Sequence, residues 1–416
     1  MRDMKDSGVE WIGVIPEDWQ ISKLKYLGQY INGFAFKPDD WGDVGKPIIR
    51  IQDLTKTSDN TNYFDGIIPD KYLVNNGDIL VSWAATLDAF IWNKGEGWLN
   101  QHIFKAIPNT EIIMPDYFFW LIKLAMQHMN NDNKHGIMMQ HVTLSLFNNF
   151  SVPLPTMLVQ RLIADTLQTK CAQVDILIAN VQAQIEKLKV YKQSIISELV
   201  TRGLDSSVPI KDSGVEWLGY IPEHWDVKRG KALFKESDAR STDGSEELLT
   251  VSQYTGITPR SQKNVNMFEA LSLEGYKICE IGDIAANTMW MWAGAIGVSQ
   301  YYGVISPSYN VYHQIGSEYN SRYLDYLLRI PSLVQCYESQ STGIRASRLR
   351  LYPQQFLNIS FPIPPIQEQE AIVAELESKC EKVDQLIAIK QKKIDKLNEY
   401  KKSLIYEYVT GKKEVS

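Results

Sequence analysis

Lys5-Asp6-Ser7-Gly8-Val9-Glu10-Trp11-Ile12-Gly13 returns 206 positions later as Lys211-Asp212-Ser213-Gly214-Val215-Glu216-Trp217-Leu218-Gly219. Ile15-Pro16-Glu17-Asp18-Trp19 returns at the same shift as Ile221-Pro222-Glu223-His224-Trp225. A match of this length between distant segments marks an internal duplication, and a repeat decides the architecture before any single element does. The far borders of the two copies also match. Asn149-Phe150-Ser151-Val152-Pro153-Leu154-Pro155 corresponds to Asn358-Ile359-Ser360-Phe361-Pro362-Ile363-Pro364, and residues 160–199 align without gaps to 369–408. Between these borders the copies diverge. Gly77-Asp78-Ile79 still answers Gly282-Asp283-Ile284, and Tyr117 answers Tyr323, but residues 35–75 and 235–275 share little. Two readings of that divergence stand side by side: one fold kept for two different targets, or an old duplication that has drifted.

Residues 160–199 carry a heptad seam. Leu167, Val174, Val181, Leu188 and Ile195 recur every seven positions, with Cys171, Ile178, Ile185, Lys192 and Leu199 at the companion position. The second copy repeats it with Leu376, Val383, Lys390, Leu397 and Leu404, joined by Cys380, Ile387, Ile394, Lys401 and Tyr408. Such a two-position apolar stripe predicts a coiled coil. Prolines 153, 155, 362, 364 and 365 mark the helix starts, and Gly203 and Gly411 the stops. Two equivalent helices in one chain are expected to pair antiparallel and to hold two globular modules apart. A forty-residue helix is ~60 Å long, on the order of 17 base pairs of duplex DNA. A plain dimerisation coiled coil is the commoner use of this pattern; the duplicated module beside each helix favours a ruler. Lys192 and Lys401 interrupt the stripe at matching positions. Their stems are expected to line the seam with the amines in water, the other reading being that they face a partner subunit.

The domain organisation expected is a first recognition module at 1–155, a spacer helix at 156–204, a second module at 205–363 and a second spacer helix at 364–416. Each module mixes short alternating runs, such as Ile79-Leu80-Val81-Ser82-Trp83 and Val311-Tyr312-His313-Gln314-Ile315, with helical stretches such as Tyr117–Met129. That predicts an α/β (α+β) domain with a bent sheet and several loops.

The loops carry side chains of the kinds that read base edges. In the second half the Gly343-Ile344-Arg345-Ala346-Ser347-Arg348-Leu349-Arg350 run makes Arg345, Ser347, Arg348 and Arg350 candidates, since a guanidinium fork suits phosphate or guanine. Gln253, Tyr254, Thr288, Tyr309 and Asn310 are further candidates there. In the first half the candidates are Ser82, Trp83, Gln101, His102, Met139, Gln140 and His141. Trp290 and Trp292 are expected in the core, with wedging or stacking as the alternative.

Composition narrows the class. The 416 residues allow two or three domains; 44% of them are apolar and 22% charged, as in an ordinary soluble protein. No signal peptide or membrane span is expected. Four scattered cysteines without a Cys-x-x-Cys pair fit a reducing cytoplasm and argue against zinc. A net charge of −6 suggests that the chain alone holds DNA weakly and that a partner supplies positive charge. No phosphate-binding loop, paired-glycine fingerprint, metal-ligand spacing or amino-methylating Asn/Asp-Pro-Pro-aromatic run is found. The expectation is a non-catalytic binding protein with no catalytic residue and no metal site.

The order module, helix, module, helix resembles the specificity subunit of Type I restriction-modification enzymes over essentially the whole chain. Ser7–Pro16 and its copy look like the opening segment of that family, and Gly77-Asp78-Ile79-Leu80 and Gly282-Asp283-Ile284 like its Gly-Asp-Ile/Leu element. Pro364-Pro365-Ile366-Gln367-Glu368-Gln369 looks like its helix-start motif, from which the first copy departs at Thr156 and Val159. The resemblance implies two target recognition domains, each reading one half of a split, asymmetric site in double-stranded DNA. It implies two modification subunits docked on the helices, using S-adenosylmethionine to methylate adenine, and restriction subunits that use ATP and Mg. Those cofactors would sit on partner subunits only. The alternatives left open are a stand-alone two-headed transcriptional regulator, an interaction scaffold and a cryptic nuclease.

Overall fold

The structure, a computed structural model, describes residues 2–57, 60–132, 142–263, 272–343 and 349–415. The chain forms two compact units, Met1–Val181 with Lys392–Ser416, and Gln182–Gln391.

The first unit is built on a four-stranded antiparallel sheet of β1 (Gly28–Asn32), β2 (Ile79–Ser82), β3 (Asp88–Ile91) and β4 (Ile103–Pro108), in the order β1-β4-β2-β3. The Gly77-Asp78 pair opens the β2–β3 hairpin. Gly77 sits at φ 92°, a left-handed conformation that suits glycine. Its N–H donates to the Trp92 carbonyl at 2.7 Å, and the Asp78 carboxylate accepts the Asn75 N–H at 2.8 Å. All four residues of β2 are buried. Alternation sends Ile79 and Val81 to one face, in a core with Phe118, Leu121 and Ala125 of helix α1 (Pro115–Asp132). Leu80 points the other way, into a cluster with Ile49, Val74 and Leu99 of a second small sheet. That sheet runs Tyr63–Phe64, Lys46–Ile49, Gly97–Leu99, Leu73–Val74, with its middle pair parallel.

Helix α2 (Met157–Arg202) leaves this unit after the ladder of Ser151–Leu154 with Gln20–Lys23. Leu167, Cys171 and Val174 of its early turns share a core with Leu404, Ile405, Tyr408 and Val409 near the end of the chain, so the two segments run antiparallel.

The second unit repeats the sheet with β5 (Phe234–Ser237), β6 (Ile284–Ala286), β7 (Ile296–Val298) and β8 (Asn310–Gln314), in the matching order β5-β8-β6-β7. Asp283 accepts the Glu280 N–H at 2.8 Å, as Asp78 does in the first unit. The periphery differs. Two separate ladders, Leu249–Ser252 with Gly256–Pro259 and Lys277–Cys279 with Gly303–Ile305, replace the second small sheet. The place of α1 is taken by α3 (Ser321–Leu327) and α4 (Pro331–Gln340). Pro331 lacks an N–H and cannot continue a helix from behind, so a new one begins there. Helix α5 (Ile366–Val409) opens in this unit, where Ile372, Val373 and Leu376 share a core with Ile195, Leu199 and Val200 of α2. Again the start of one long helix lies against the end of the other.

The heptad stripe is the buried face of both helices. Leu167, Cys171, Val174, Val181 and Ile185 are buried on α2, and Leu376, Cys380, Val383, Ile394 and Leu404 on α5. The amines of Lys192 and Lys401 reach the water-exposed edge of the seam and bind carboxylates there: Asp384 in the second unit and Asp175 in the first. Among the described residues no helix is long and apolar enough to cross a membrane.

A buried glutamine fastens each long helix to its module. Gln160 accepts the Met114 N–H at 2.8 Å and donates to the carbonyls of Ile112 and Pro155 at 3.2 and 2.9 Å. Gln369 accepts the Asn320 N–H at 2.9 Å and donates to the carbonyls of Glu318 and Pro364 at 2.7 and 2.8 Å.

Candidate nucleic-acid interface

One end of each four-stranded sheet gathers polar and aromatic side chains. In the second unit Ala286, the last residue of β6, pairs with Asn310, the first of β8. The loop after β6 and the turn before β8 therefore meet. Asn287 donates through its amide nitrogen to the Tyr309 hydroxyl at 2.9 Å, and Thr288 donates to the Ser308 carbonyl at 2.6 Å. Burial pushes the Tyr309 hydroxyl above the ordinary tyrosine value, so it stays protonated and a donor at neutral pH. Asn310 is buried.

The loop over this end is tightly tied. The Trp290 N–H donates to Asn287, the Ala293 and Ala295 N–H groups donate to Trp290, and Gly294 turns the chain at φ 86°. This folding drives Met291 fully into the core and leaves Trp290 52% exposed. Trp290, expected inside, thus lies outside, stacked on Trp292 at 5.8 Å between ring centroids and 25° between planes. Three consecutive apolar residues competed for the core, and the loop's backbone bonds gave the place to methionine.

The equivalent end of the first unit is where Ser82 of β2 pairs with Ile103 of β4. Ser82 is fully buried and donates to the Ala84 carbonyl at 3.1 Å. Trp83 meets His102 edge to face, centroids 5.5 Å apart. Gln101 and His102 are exposed, and the Gln101 N–H is held by the Asn100 side chain at 2.7 Å. Val142, the first described residue after 133–141, donates its N–H to the Trp83 carbonyl at 3.1 Å.

The structure therefore brings Thr288, Tyr309 and Asn310 together, and Ser82, Trp83, Gln101 and His102 together, at corresponding sheet ends. Gln253 and Tyr254 sit in the turn of a separate hairpin, where the Tyr254 ring is 83% exposed. Arg350 is exposed and its backbone is laddered to Thr342 at 3.0 Å in both directions. Arg345, Ser347, Arg348, Met139, Gln140 and His141 lie outside the described residues. Lys192 and Lys401 lie in the helix seams.

Two features go beyond the leading sequence reading. One is the outward Trp290. The other is Arg50, whose guanidinium lies 5.0 Å from the ring centroid of the half-exposed Trp41, a cation and a π face on one surface of the first unit. Hydrogen-bond donors and acceptors, aromatic faces and an arginine are the equipment for reading and stacking on bases. Among the described residues no group of three or more His, Cys, Asp or Glu side chains is placed to hold a metal ion.

Residues 16–187 match the family described as the Type I restriction modification DNA specificity domain. The chain is similar to the Type I restriction enzyme MjaVIII specificity subunit of Methanocaldococcus jannaschii, at 25% identity over 96% of this chain and 93% of that one. It is similar to the putative type I restriction enzyme MjaX specificity subunit of the same organism, at 25% identity over 96% and 95%. A solved structure described as the basis of complex assembly and conformational transition of the type I R-M system shares the fold. Its TM-score is 0.64 at 14% identity, covering 95% of this chain and 98% of that one.

Proposed function

We infer that this chain is the DNA sequence-specificity subunit of a Type I restriction-modification system. The observation that carries the reading is the repetition of one four-stranded sheet in both units, with candidate reading groups at the same sheet end and unlike loops around them. A shared scaffold with unlike loops suits two targets recognised in one manner. The relatives reported above are named as specificity subunits along nearly the full length of the chain, which favours this reading over a stand-alone two-headed regulator.

Each module, on this reading, recognises one half of a split, asymmetric site in double-stranded DNA. The long helices, α2 and α5, set the gap between the half-sites and present docking surfaces to two modification subunits. Those subunits bind S-adenosylmethionine and methylate adenine, and restriction subunits using ATP and Mg join the complex, so catalysis resides in the partners. The net charge of −6 fits that division, because the partners then supply much of the positive charge facing the phosphates. The complex works on DNA in the cytoplasm.

The test is selection of duplexes from a random-sequence library by the chain together with its modification partner, paired with methylation sequencing of cells with and without the gene. A split motif is expected in both. Enrichment of no motif, or methylation unchanged by loss of the gene, overturns the assignment.

A further inference from the structure

We propose that Trp290, backed by Trp292, stacks on a nucleobase within the half-site read by the second unit. The proposal rests on the DNA-specificity reading and adds to it the residue and the kind of contact.

Three observations carry it. Trp290 keeps about half of its surface in water while its neighbour Met291 is fully buried, so the loop presents the indole outward instead of tucking it in. The loop is held by backbone hydrogen bonds from Trp290, Ala293 and Ala295, and the Trp292 indole N–H donates to the Met289 carbonyl at 2.9 Å. The ring is therefore carried on a fixed support with Trp292 covering one side, which lowers the entropy lost when the other side is covered. Finally, Asn287, Thr288 and Tyr309 at the same sheet end anchor the loop beside the groups that equip it for base edges.

The identity of the occupant follows from comparing the two units. The loop joining β6 to β7 holds nine residues, 287–295, in the second unit, and the equivalent loop joining β2 to β3 holds five, 83–87, in the first. In the shorter loop Trp83 is partly buried and meets His102 edge-on. A protein partner common to both halves would use features both halves share, such as the helices. Trp290 belongs to what differs between the halves, and what differs is the sequence each must read. In a closed duplex each base face is covered by its neighbours, so stacking needs an opened step. Pyrimidine–purine steps open most readily, so the half-site of this unit is expected to contain a TA or CA/TG step.

The experiment uses the full chain with its modification partner and duplexes carrying the split site mapped by methylation sequencing. Affinity is measured for wild type, Trp290→Leu and Trp290→Phe, on the intact site and on a duplex with the second half-site scrambled. Leucine keeps apolar bulk without a π face, whereas phenylalanine keeps a face. Trp290→Leu is expected to lose roughly ten- to hundredfold on the intact site, and Trp290→Phe less than about tenfold. Both should match wild type on the scrambled duplex. Equal losses for the two variants, no loss for either, or a failure of Trp290→Leu to assemble with the partner in the absence of DNA overturns the stacking role. A wild-type complex with no preference for any split sequence instead overturns the specificity reading on which it rests.

Discussion

Lys192 of α2 reaches both carboxylate oxygens of Asp384 on α5, at 2.8 and 2.7 Å, and Lys401 of α5 reaches Asp175 of α2 at 2.7 and 2.6 Å. Both partners of the second pair stand 209 positions from their equivalents in the first, so the duplication has placed one ion pair in each unit. Each lysine breaks the apolar stripe of its own helix and is met by an aspartate from the other. The Asp384 side chain is 57% exposed, which leaves the pair open to water and salt. A double-mutant cycle on Lys192→Met and Asp384→Ala is therefore expected to give a coupling of about 0.2–1 kcal/mol that disappears in 1 M salt. A coupling above about 2 kcal/mol that survives salt would show a drier and tighter seam than the one described.

Gln160 and Gln369 are the reverse case, because both are buried and each satisfies three backbone groups. Gln369→Leu keeps much of the volume but strands the Asn320 N–H and the carbonyls of Glu318 and Pro364. A destabilisation of about 2–4 kcal/mol is expected in urea unfolding, with Gln160→Leu giving a similar loss in the first unit. Wild-type stability for both variants would mean that water or a shifted helix start replaces the clamp.

The two copies differ beside that clamp. In the second unit the buried Trp225 donates its indole N–H to Glu368 at 3.0 Å, and His224 shares the same carboxylate oxygen at 2.8 Å. In the first unit Val159 stands where Glu368 does, and the indole N–H of the buried Trp19 has no acceptor among the described residues. Glu368→Val should therefore lower stability by about 1–3 kcal/mol through the orphaned donor. Val159→Glu offers Trp19 an acceptor and is expected to raise the melting temperature. A fall on that substitution would show that no carboxylate fits beside the ring.

The duplication was readable because the repeated segments do structural work in both units. Trp11 and Trp217 of the opening segment donate to the carbonyls of Ser151 and Ser360, at 3.2 and 3.1 Å, and so keep the same neighbours in each copy. The helices were readable because most of the apolar positions of their stripe are buried, with Ile178, Leu188, Ile387 and Leu397 partly so. The candidate groups at the sheet ends were recognisable as residue types, but their grouping depends on strand register, as in Ala286 opposite Asn310, which no local pattern reveals. The carboxylate that meets the Lys192 amine lies 192 positions away on another helix, so the sequence reading placed that amine at the water edge without naming its partner. Trp290 escaped for a different reason: Trp-Met-Trp is uniformly apolar, and backbone bonds in the loop decide which residue turns inward.

The thiols carry a pH signature. Burial, with the nearby charge of Asp283 adding to it, pushes the Cys279 thiol up to about 12. At pH 8 roughly one such thiol in ten thousand is ionised, so iodoacetamide should leave Cys279 unmodified in the folded protein while the half-buried Cys336 reacts first. The unfolded chain ionises near the ordinary value of 9, and the folded one does so later. This group's contribution to stability is therefore complete below pH 9 and is lost as pH rises toward 12. Cys279→Ser should reduce that alkaline loss. Rapid labelling of Cys279 at pH 8 would show that the ladder over it opens.

The long helices carry the last prediction. Removing one heptad from each at equivalent positions, residues 180–186 of α2 and 389–395 of α5, keeps the stripe and the terminal clamps in phase on both. Each helix then shortens by ~10.5 Å at ~1.5 Å per residue. If the helices set the gap between the half-sites, the motif found by methylation sequencing should keep both half-site sequences and lose about 3 base pairs of spacer, at ~3.4 Å per pair. Unchanged half-sites are part of the expected result, since the deletions touch neither sheet end. The same spacer in wild type and variant would remove the ruler role from the helices and leave them as a joint between two readers.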